Sequence, residues 1–136
     1  MLDEKLLVTE AIAAKENAYV PYSRFRVGAA LLTKDGKIYR GCNIENAAYS
    51  PTNCAERTAI FKAVSEGNLE FEAIAITGDA EDYIYPCGVC RQVMAEFCEP
   101  DTFLVILAKN ENEWKNFTLE EILPGGFTAK DLNKIK

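Results

Sequence analysis

The sequence predicts an α/β fold, a three-layer α/β/α sandwich built on a five-stranded mixed sheet. Three observations carry that prediction. Two short stretches, 26–33 and 102–108, are apolar along their length, the pattern of strands buried on both faces. Asp35-Gly36 follows the first of them, a strong signal for a two-residue hairpin. Helical stretches then alternate with strands in the order helix, strand, strand, helix, strand, helix, strand, strand, helix.

Each element follows from its residues. Leu7, Ala11, Ala14 and Ala18 recur at spacings of four and three, predicting a helix over about 3–18 that Pro21 ends. The first strand, 26–33, turns at Asp35-Gly36 and returns as a second strand over 37–43, antiparallel to the first. Thr52 or Asn53 is placed to cap a helix over about 54–66, which Gly67 stops. A third strand covers 71–77. Pro86-Cys87-Gly88 opens a helix running to about Cys98, and this helix makes the third and fourth strands parallel. The fourth strand is 102–108. A polar turn at 110–113 leads to a fifth strand near 114–117, and Thr118 with Glu121 forms a capping box for a short last helix.

Length and composition fit one domain, 1–136. An apolar fraction of 49% and a charged fraction of 26% argue against disorder and coiled coil. Fifteen basic against 21 acidic residues give a net charge of −6, with a mild basic cluster only at the last few positions. Nucleic-acid binding needs a clustered basic surface, so no nucleic-acid partner is expected, and a neutral small molecule is easier to accommodate. The longest apolar stretches, Val27–Leu32 and Phe103–Ala108, are far short of the ~20 residues of a membrane span. The first five residues lack the basic start and apolar core of a signal peptide, so the expected compartment is the cytoplasm, where thiols stay reduced.

Cysteine and histidine carry the chemical information. The chain has five cysteines, Cys42, Cys54, Cys87, Cys90 and Cys98, and no histidine. An odd number of thiols in a reducing compartment suits a metal or catalytic set better than a disulfide framework. Without histidine there is no Ser-His-Asp triad and no His-based zinc site, so acid–base work falls to carboxylates, Lys, Tyr or a metal-bound water.

Two motifs stand out, Cys54-Ala55-Glu56 and Pro86-Cys87-Gly88-Val89-Cys90, each at a predicted helix start. Residues three apart in a first helical turn point the same way, so Cys87 and Cys90 can reach one ion, for which zinc is the natural soft-ligand choice. Helix N-termini favour thiolate over thiol. If Cys54 joined them, three protein ligands would leave a position open, as catalytic zinc sites do and structural ones do not. Glu56 would then lie beside the ion as a proton-transfer group. Three thiolates leave such a site negative, and Arg57 is a candidate to hydrogen-bond a thiolate and offset that charge. Other readings stand beside these. Cys87 and Cys90 suit a redox pair or half of a structural zinc knuckle. Cys42 is a candidate fourth ligand or a small buried hydrophobe, Cys98 reads as core, and Glu56 alone would be a solvated helix charge.

The two motifs together resemble the zinc nucleoside-deaminase signature in its three-cysteine form, a site with a described non-ligand Glu. The likeness extends over Tyr22-Ser23-x-Phe25-x-Val27-Gly28-Ala29-Ala30, Gly41-x-Asn43-x-Glu45-Asn46-Ala47-x-Tyr49-Ser50 and Leu123-Pro124-Gly125-x-Phe127, features of the small homotetrameric cytidine deaminases of nucleoside salvage. The resemblance implies the cytidine deaminase-like sandwich, one Zn²⁺ per chain on Cys54, Cys87 and Cys90, and hydrolysis of cytidine and deoxycytidine to uridine and deoxyuridine plus ammonia. By the same resemblance, zinc-bound hydroxide attacks the amine-bearing carbon with Glu56 as proton shuttle. Asn43 and Glu45 bind the ribose hydroxyl, Phe25 packs on base or sugar, and Ala55 joins the substrate-binding set. Ala47, Tyr49 and Phe127 serve a neighbouring subunit's site in a homotetramer. The alternatives are a blasticidin S-type aminonucleoside deaminase and, in another class, a non-catalytic zinc or redox module. Asn43 and Glu45 share parity at a strand end and so can face one cleft, where a carboxylate would repel a phosphate. Ordinary loop hydrogen bonding for Asn43 and Glu45, and core packing for Phe25 and Phe127, are the plainer roles.

Overall fold

The structure is a computed structural model that describes residues 2–133; Lys134 and Lys136 of the basic C-terminal cluster lie outside them. The elements are α1 (Glu4–Lys15), β1 (Val27–Thr33), β2 (Ile38–Cys42), α2 (Ala55–Ser65), β3 (Phe71–Gly78), α3 (Gly88–Phe97), β4 (Leu104–Asn110), β5 (Glu113–Thr118), α4 (Leu119–Ile122) and α5 (Ala129–Asn133). The five strands form one sheet in the order β2-β1-β3-β4-β5. Only the central β3–β4 pair is parallel; β1–β2, β1–β3 and β4–β5 are antiparallel. The expected mixed sheet is therefore present. The antiparallel neighbourhood of β1 and β3, which no local turn encodes, is added by the structure.

The two faces of the sheet carry different side chains. Ala30, Ala73, Ala75 and Ala108 line one face beneath Leu7, Val8 and Ala11 of α1. These small residues let α1 lie close, and Gly28 is closest of all: a Cβ there would sit 2.2 Å from the Ala11 carbonyl. On the other face Leu31, Ile74, Ile76, Val105 and Leu107 meet Ile60 and Ala63 of α2 and Met94 of α3. Each of those large aliphatic side chains contributes roughly 1.5–3 kcal/mol by its burial. Cys98 belongs to this core, as expected.

Several boundaries differ from the sequence expectation for identifiable reasons. α1 stops at Lys15 rather than near Ala18. Tyr19 leaves the helix to bridge Ile44, its N–H donating to the Asn43 carbonyl at 3.0 Å and its own carbonyl accepting from Glu45 N–H at 2.9 Å. Neither Thr52 nor Asn53 caps α2. Thr52 Oγ1 accepts from Asn46 N–H and Asn53 bridges Ile44, so Cys54 becomes the N-cap and its side chain makes no capping bond. The capping box of α4 has both of its bonds, Thr118 with Glu121. α5, whose first turn is tied by Thr128 to Asp131, has too few apolar residues for its period to be read. Among the described residues no helix is long and apolar enough to cross a membrane.

One end of the sheet collects the functional elements. β3 and β4 finish there, β2 finishes there and β1 begins there. The connections from β2 to α2 and from β3 to α3 leave from that end, which brings both helix N-termini to it. In open α/β sheets the carboxyl ends of the parallel strands are where ligands bind.

Candidate active site

The helices are aimed by close backbone approach. Gly41 in β2 lets the first turn of α2 lie on the sheet: a Cβ there would be 2.4 Å from the Ala55 carbonyl and 2.5 Å from Ala59 N. That contact fixes Cys54 at the N-cap of α2 and Glu56 in its first turn. Across the cleft Cys87 is the N-cap of α3 and Cys90 lies in its first turn. Arg91 ties the α3 turn down, its Nε donating to the Pro86 carbonyl at 2.7 Å and its Nη1 to the Ile122 carbonyl at 2.6 Å.

The result is one cluster of three thiols, Cys54, Cys87 and Cys90, whose sulfurs all lie within 4.8 Å of one another. Cys54 Sγ is 3.8 Å from Cys87 Sγ, and Cys87 Sγ is 3.5 Å from Cys90 Sγ. Sulfurs at tetrahedral corners 2.3 Å from zinc stand roughly 3.8 Å apart, so the three fit one ion. All five cysteines are free. Cys42, in β2 opposite Gly28, is half-buried and outside the cluster, and burial pushes its thiol up. It is therefore not a fourth ligand in this geometry, and among the described residues the metal-ligating group has three members.

Charge at the cluster is balanced from within. Arg57 Nη2 donates to Cys54 Sγ at 3.2 Å. Burial opposes the charge of Arg57, but its bonds to Cys54 and Cys90 outweigh that and hold it cationic. The Cys54 thiol is pulled well below the ordinary thiol value, first by the neighbouring Cys90 and then by Arg57. Cys90, fully buried, is pushed up by its contact with Cys54 and by desolvation. Arg57 Nε is buried and has no hydrogen-bond partner. Glu56 is 4% exposed. Burial, followed by the charge on Cys54, pushes its carboxyl up to about 7. A buried carboxyl titrating near neutrality next to a metal-ligating cluster can both take and return a proton.

The other predicted residues divide in two. Phe25, Asn43 and Glu45 stand at the same end of the sheet, and their polar atoms are engaged with backbone. Asn43 Oδ1 accepts from Val27 N–H and its Nδ2 donates to the Phe25 carbonyl, both at 2.9 Å. Glu45 Oε1 accepts from the N–H groups of Tyr22 and Ser23 at 3.0 and 3.1 Å, and these bonds, with the Ser23 hydroxyl foremost, hold its carboxyl below the ordinary range. Ala55 is buried at the α2 turn. Ala47, Tyr49 and Phe127 are exposed. Tyr49 is 74% exposed, in the left-handed region at φ 62°, with its ring edge-on to Tyr22 at 6.4 Å. Phe127 is 54% exposed, and its carbonyl accepts from Gln92 Nε2 at 2.7 Å. Sequence reasoning missed Arg91, for which the available signal was its place four residues after Cys87. It also missed Tyr83, over whose ring Lys109 and Lys115 stand at 5.0 and 4.6 Å, pinning the connection that carries Cys87.

Comparison with known proteins agrees with this geometry. A family model described as the cytidine and deoxycytidylate deaminase zinc-binding region matches residues 1–106. The chain is 57% identical over 132 residues to a cytidine deaminase of Halalkalibacterium halodurans, covering 97% of this chain and 99% of that one. It is 53% identical to a cytidine deaminase of Sporosarcina psychrophila, covering 97% and 96% of the two chains. A crystal structure of cytidine deaminase from Burkholderia pseudomallei matches with a TM-score of 0.87 at 47% identity, covering 93% of this chain and all of that one.

Proposed function

This chain belongs to the cytidine and deoxycytidylate deaminase family, and from that premise we propose how its residues divide the work. The activity is zinc-dependent hydrolytic deamination: cytidine and water give uridine and ammonia. The observation that carries this reading is the three-thiol cluster at two helix N-termini with a buried carboxyl, Glu56, in the first turn beside it. Cys54, Cys87 and Cys90 hold one zinc ion, which when bound supplies the Lewis acidity that makes water a nucleophile at neutral pH.

Glu56 takes the proton from the attacking water, delivers it to the ring nitrogen next to the amine-bearing carbon, and passes a further proton to the departing amine. Its burial excludes solvent as a competing base. Arg57 neutralises part of the thiolate charge through Cys54. Glu45 binds the ribose hydroxyl with Oε2, the oxygen not taken by the backbone N–H groups of Tyr22 and Ser23. Asn43 offers the second N–H of its amide to the same sugar. Phe25 walls the base, Ala55 lies under it, and deoxycytidine is a second substrate. Ala47, Tyr49 and Phe127 carry large exposure in one chain because they complete a neighbouring subunit's pocket in a homotetramer. Residues 1–136 form one deaminase domain, and the enzyme works in the cytoplasm.

One kinetic comparison tests the reading. Purified protein carrying one zinc per chain is presented with cytidine, deoxycytidine, cytosine, CMP and blasticidin S, and ammonia is measured against the fall in ultraviolet absorbance. Turnover of both nucleosides with equimolar ammonia is expected, with cytosine and CMP far slower. Preferred turnover of blasticidin S would move the substrate class, and zinc without turnover of any aminopyrimidine nucleoside would refute the reading.

A further inference from the structure

The segment from Tyr22 to Arg26 belongs to no helix or strand, and Arg24 within it lies in the left-handed region at φ 58°. Its shape is set by side chains that reach in from elsewhere. Glu45 holds Tyr22 and Ser23, and Asn43 holds the Phe25 carbonyl and Val27 N–H. A further brace comes from the far side, where β3 ends. Asp79 Oδ2 accepts from the backbone N–H of Arg26 at 2.9 Å and from its Nε at 2.9 Å, while Oδ1 accepts from Nη2 at 3.2 Å. Asp79 N–H in turn donates to the Arg26 carbonyl at 3.0 Å. The guanidinium so placed, with Lys15 Nζ 3.1 Å from Oδ1, holds the Asp79 carboxyl well below the usual carboxylate range.

The clasp bears on the neighbouring ring. Gly78, immediately before Asp79, leaves room for Phe25: a Cβ there would be 3.1 Å from its Cε1 and 2.9 Å from Ile84 Cγ1. Phe25 thus sits at the end of β3, beside the connection that leads to Cys87. We propose that Asp79 is a positioning residue for the substrate pocket: by clasping Arg26 to the end of β3 it holds the Phe25 ring where the nucleoside meets it. The inference rests on the reading that Phe25 contacts the nucleoside. Phe25 serves as a wall of the pocket and carries no proton, so loosening it weakens substrate and transition state alike. The loss then falls on KM and spares kcat.

The test is a double-variant cycle on the zinc-loaded enzyme, with KM and kcat for cytidine and the zinc content of each sample. Asp79→Ala is expected to raise KM about tenfold with kcat within about twofold, the scale of a displaced binding group. Phe25→Ala raises KM at least as much, and the double variant is no worse than Phe25→Ala alone, because the clasp acts through the ring. Lys15→Met removes the ion pair on the α1 side, leaves the bonds to Arg26 in place, and is expected to leave KM unchanged. Arg26→Met keeps the backbone N–H and removes the guanidinium. It shifts KM in the same direction by about threefold, an effect also lost in the Phe25→Ala background, and it decides the matter if Asp79→Ala does not fold. The inference is overturned if Asp79→Ala or, failing that variant, Arg26→Met leaves KM unaltered. Losses that add in full to that of Phe25→Ala, or a Lys15→Met effect as large as that of Asp79→Ala, overturn it as well. A silent Phe25→Ala would instead sink the reading of Phe25 as a substrate contact.

Discussion

The metal corner and the wall of residues 22–27 stand at one end of the same sheet and are built in opposite ways. At the corner, helices satisfy the backbone, and the side chains of Cys54, Cys87 and Cys90 converge on one point. At the wall no helix or strand covers residues 22–26, and polar side chains are turned onto it: Asn43 and Glu45 from the exit of β2, Asp79 from the end of β3. The difference lies in what each region must hold. An ion is gripped by side chains on rigid turns, so i and i+3 spacing is enough. A pocket for a neutral nucleoside needs its backbone outline fixed first, and here side chains from elsewhere in the fold fix it.

Three outcomes would break or sharpen this contrast. The largest is expected at the corner. Cys90→Ser should empty the site of zinc and take turnover to background, read by metal analysis and ammonia release on one sample. Retained zinc would show that the corner does not depend on its buried thiol. Next, Arg57→Gln should weaken zinc binding by about 10–100-fold in chelator competition, the usual loss when a partner of a metal ligand is removed. An unchanged affinity would mean that the unpartnered Nε and the bond to Cys54 are incidental. The smallest effect belongs to the wall and to acid. The Asp79 carboxyl ordinarily titrates near 3.8 and is held lower in the folded protein, first by its bonds with Arg26. The stability it contributes is therefore fully present above the unfolded value and is lost as pH falls below it toward the folded one. Urea midpoints measured from pH 6 downward should fall more steeply for the wild type than for Asp79→Ala below about pH 4. Parallel curves would remove the charge from the clasp.

The same contrast explains what was legible in the sequence. Signals confined to a few residues translated directly: the Thr118–Glu121 capping box and the Cys-x-x-Cys turn. The Asp35-Gly36 signal located the β1–β2 turn but not its length: Thr33 N–H donates to the Lys37 carbonyl at 2.9 Å around a three-residue loop, 34–36, with only Gly36 of the three at positive φ, 91°, in place of the expected two-residue hairpin. The helix boundaries that moved did so because distant partners claimed the backbone. Ile44 took Tyr19 out of α1 and occupied Asn53 at the start of α2. The Arg26–Asp79 clasp joins residues 53 apart, and β1 lies beside β3 without any turn between them to announce it. Asn43 and Glu45 stand out in the sequence by their resemblance to a family pattern, yet their bonds to residues 22–27 depend on a fold that periodicity does not disclose.

The central claim is that Glu56 moves protons beside the zinc and is not one of its ligands. Glu56→Ala, purified and assayed for zinc and cytidine turnover on the same sample, tests it most directly. Zinc should remain at one per chain while kcat falls by about 10²–10⁴-fold, the worth of a positioned proton-transfer group. Near-normal turnover, or zinc lost together with the carboxylate, would contradict it.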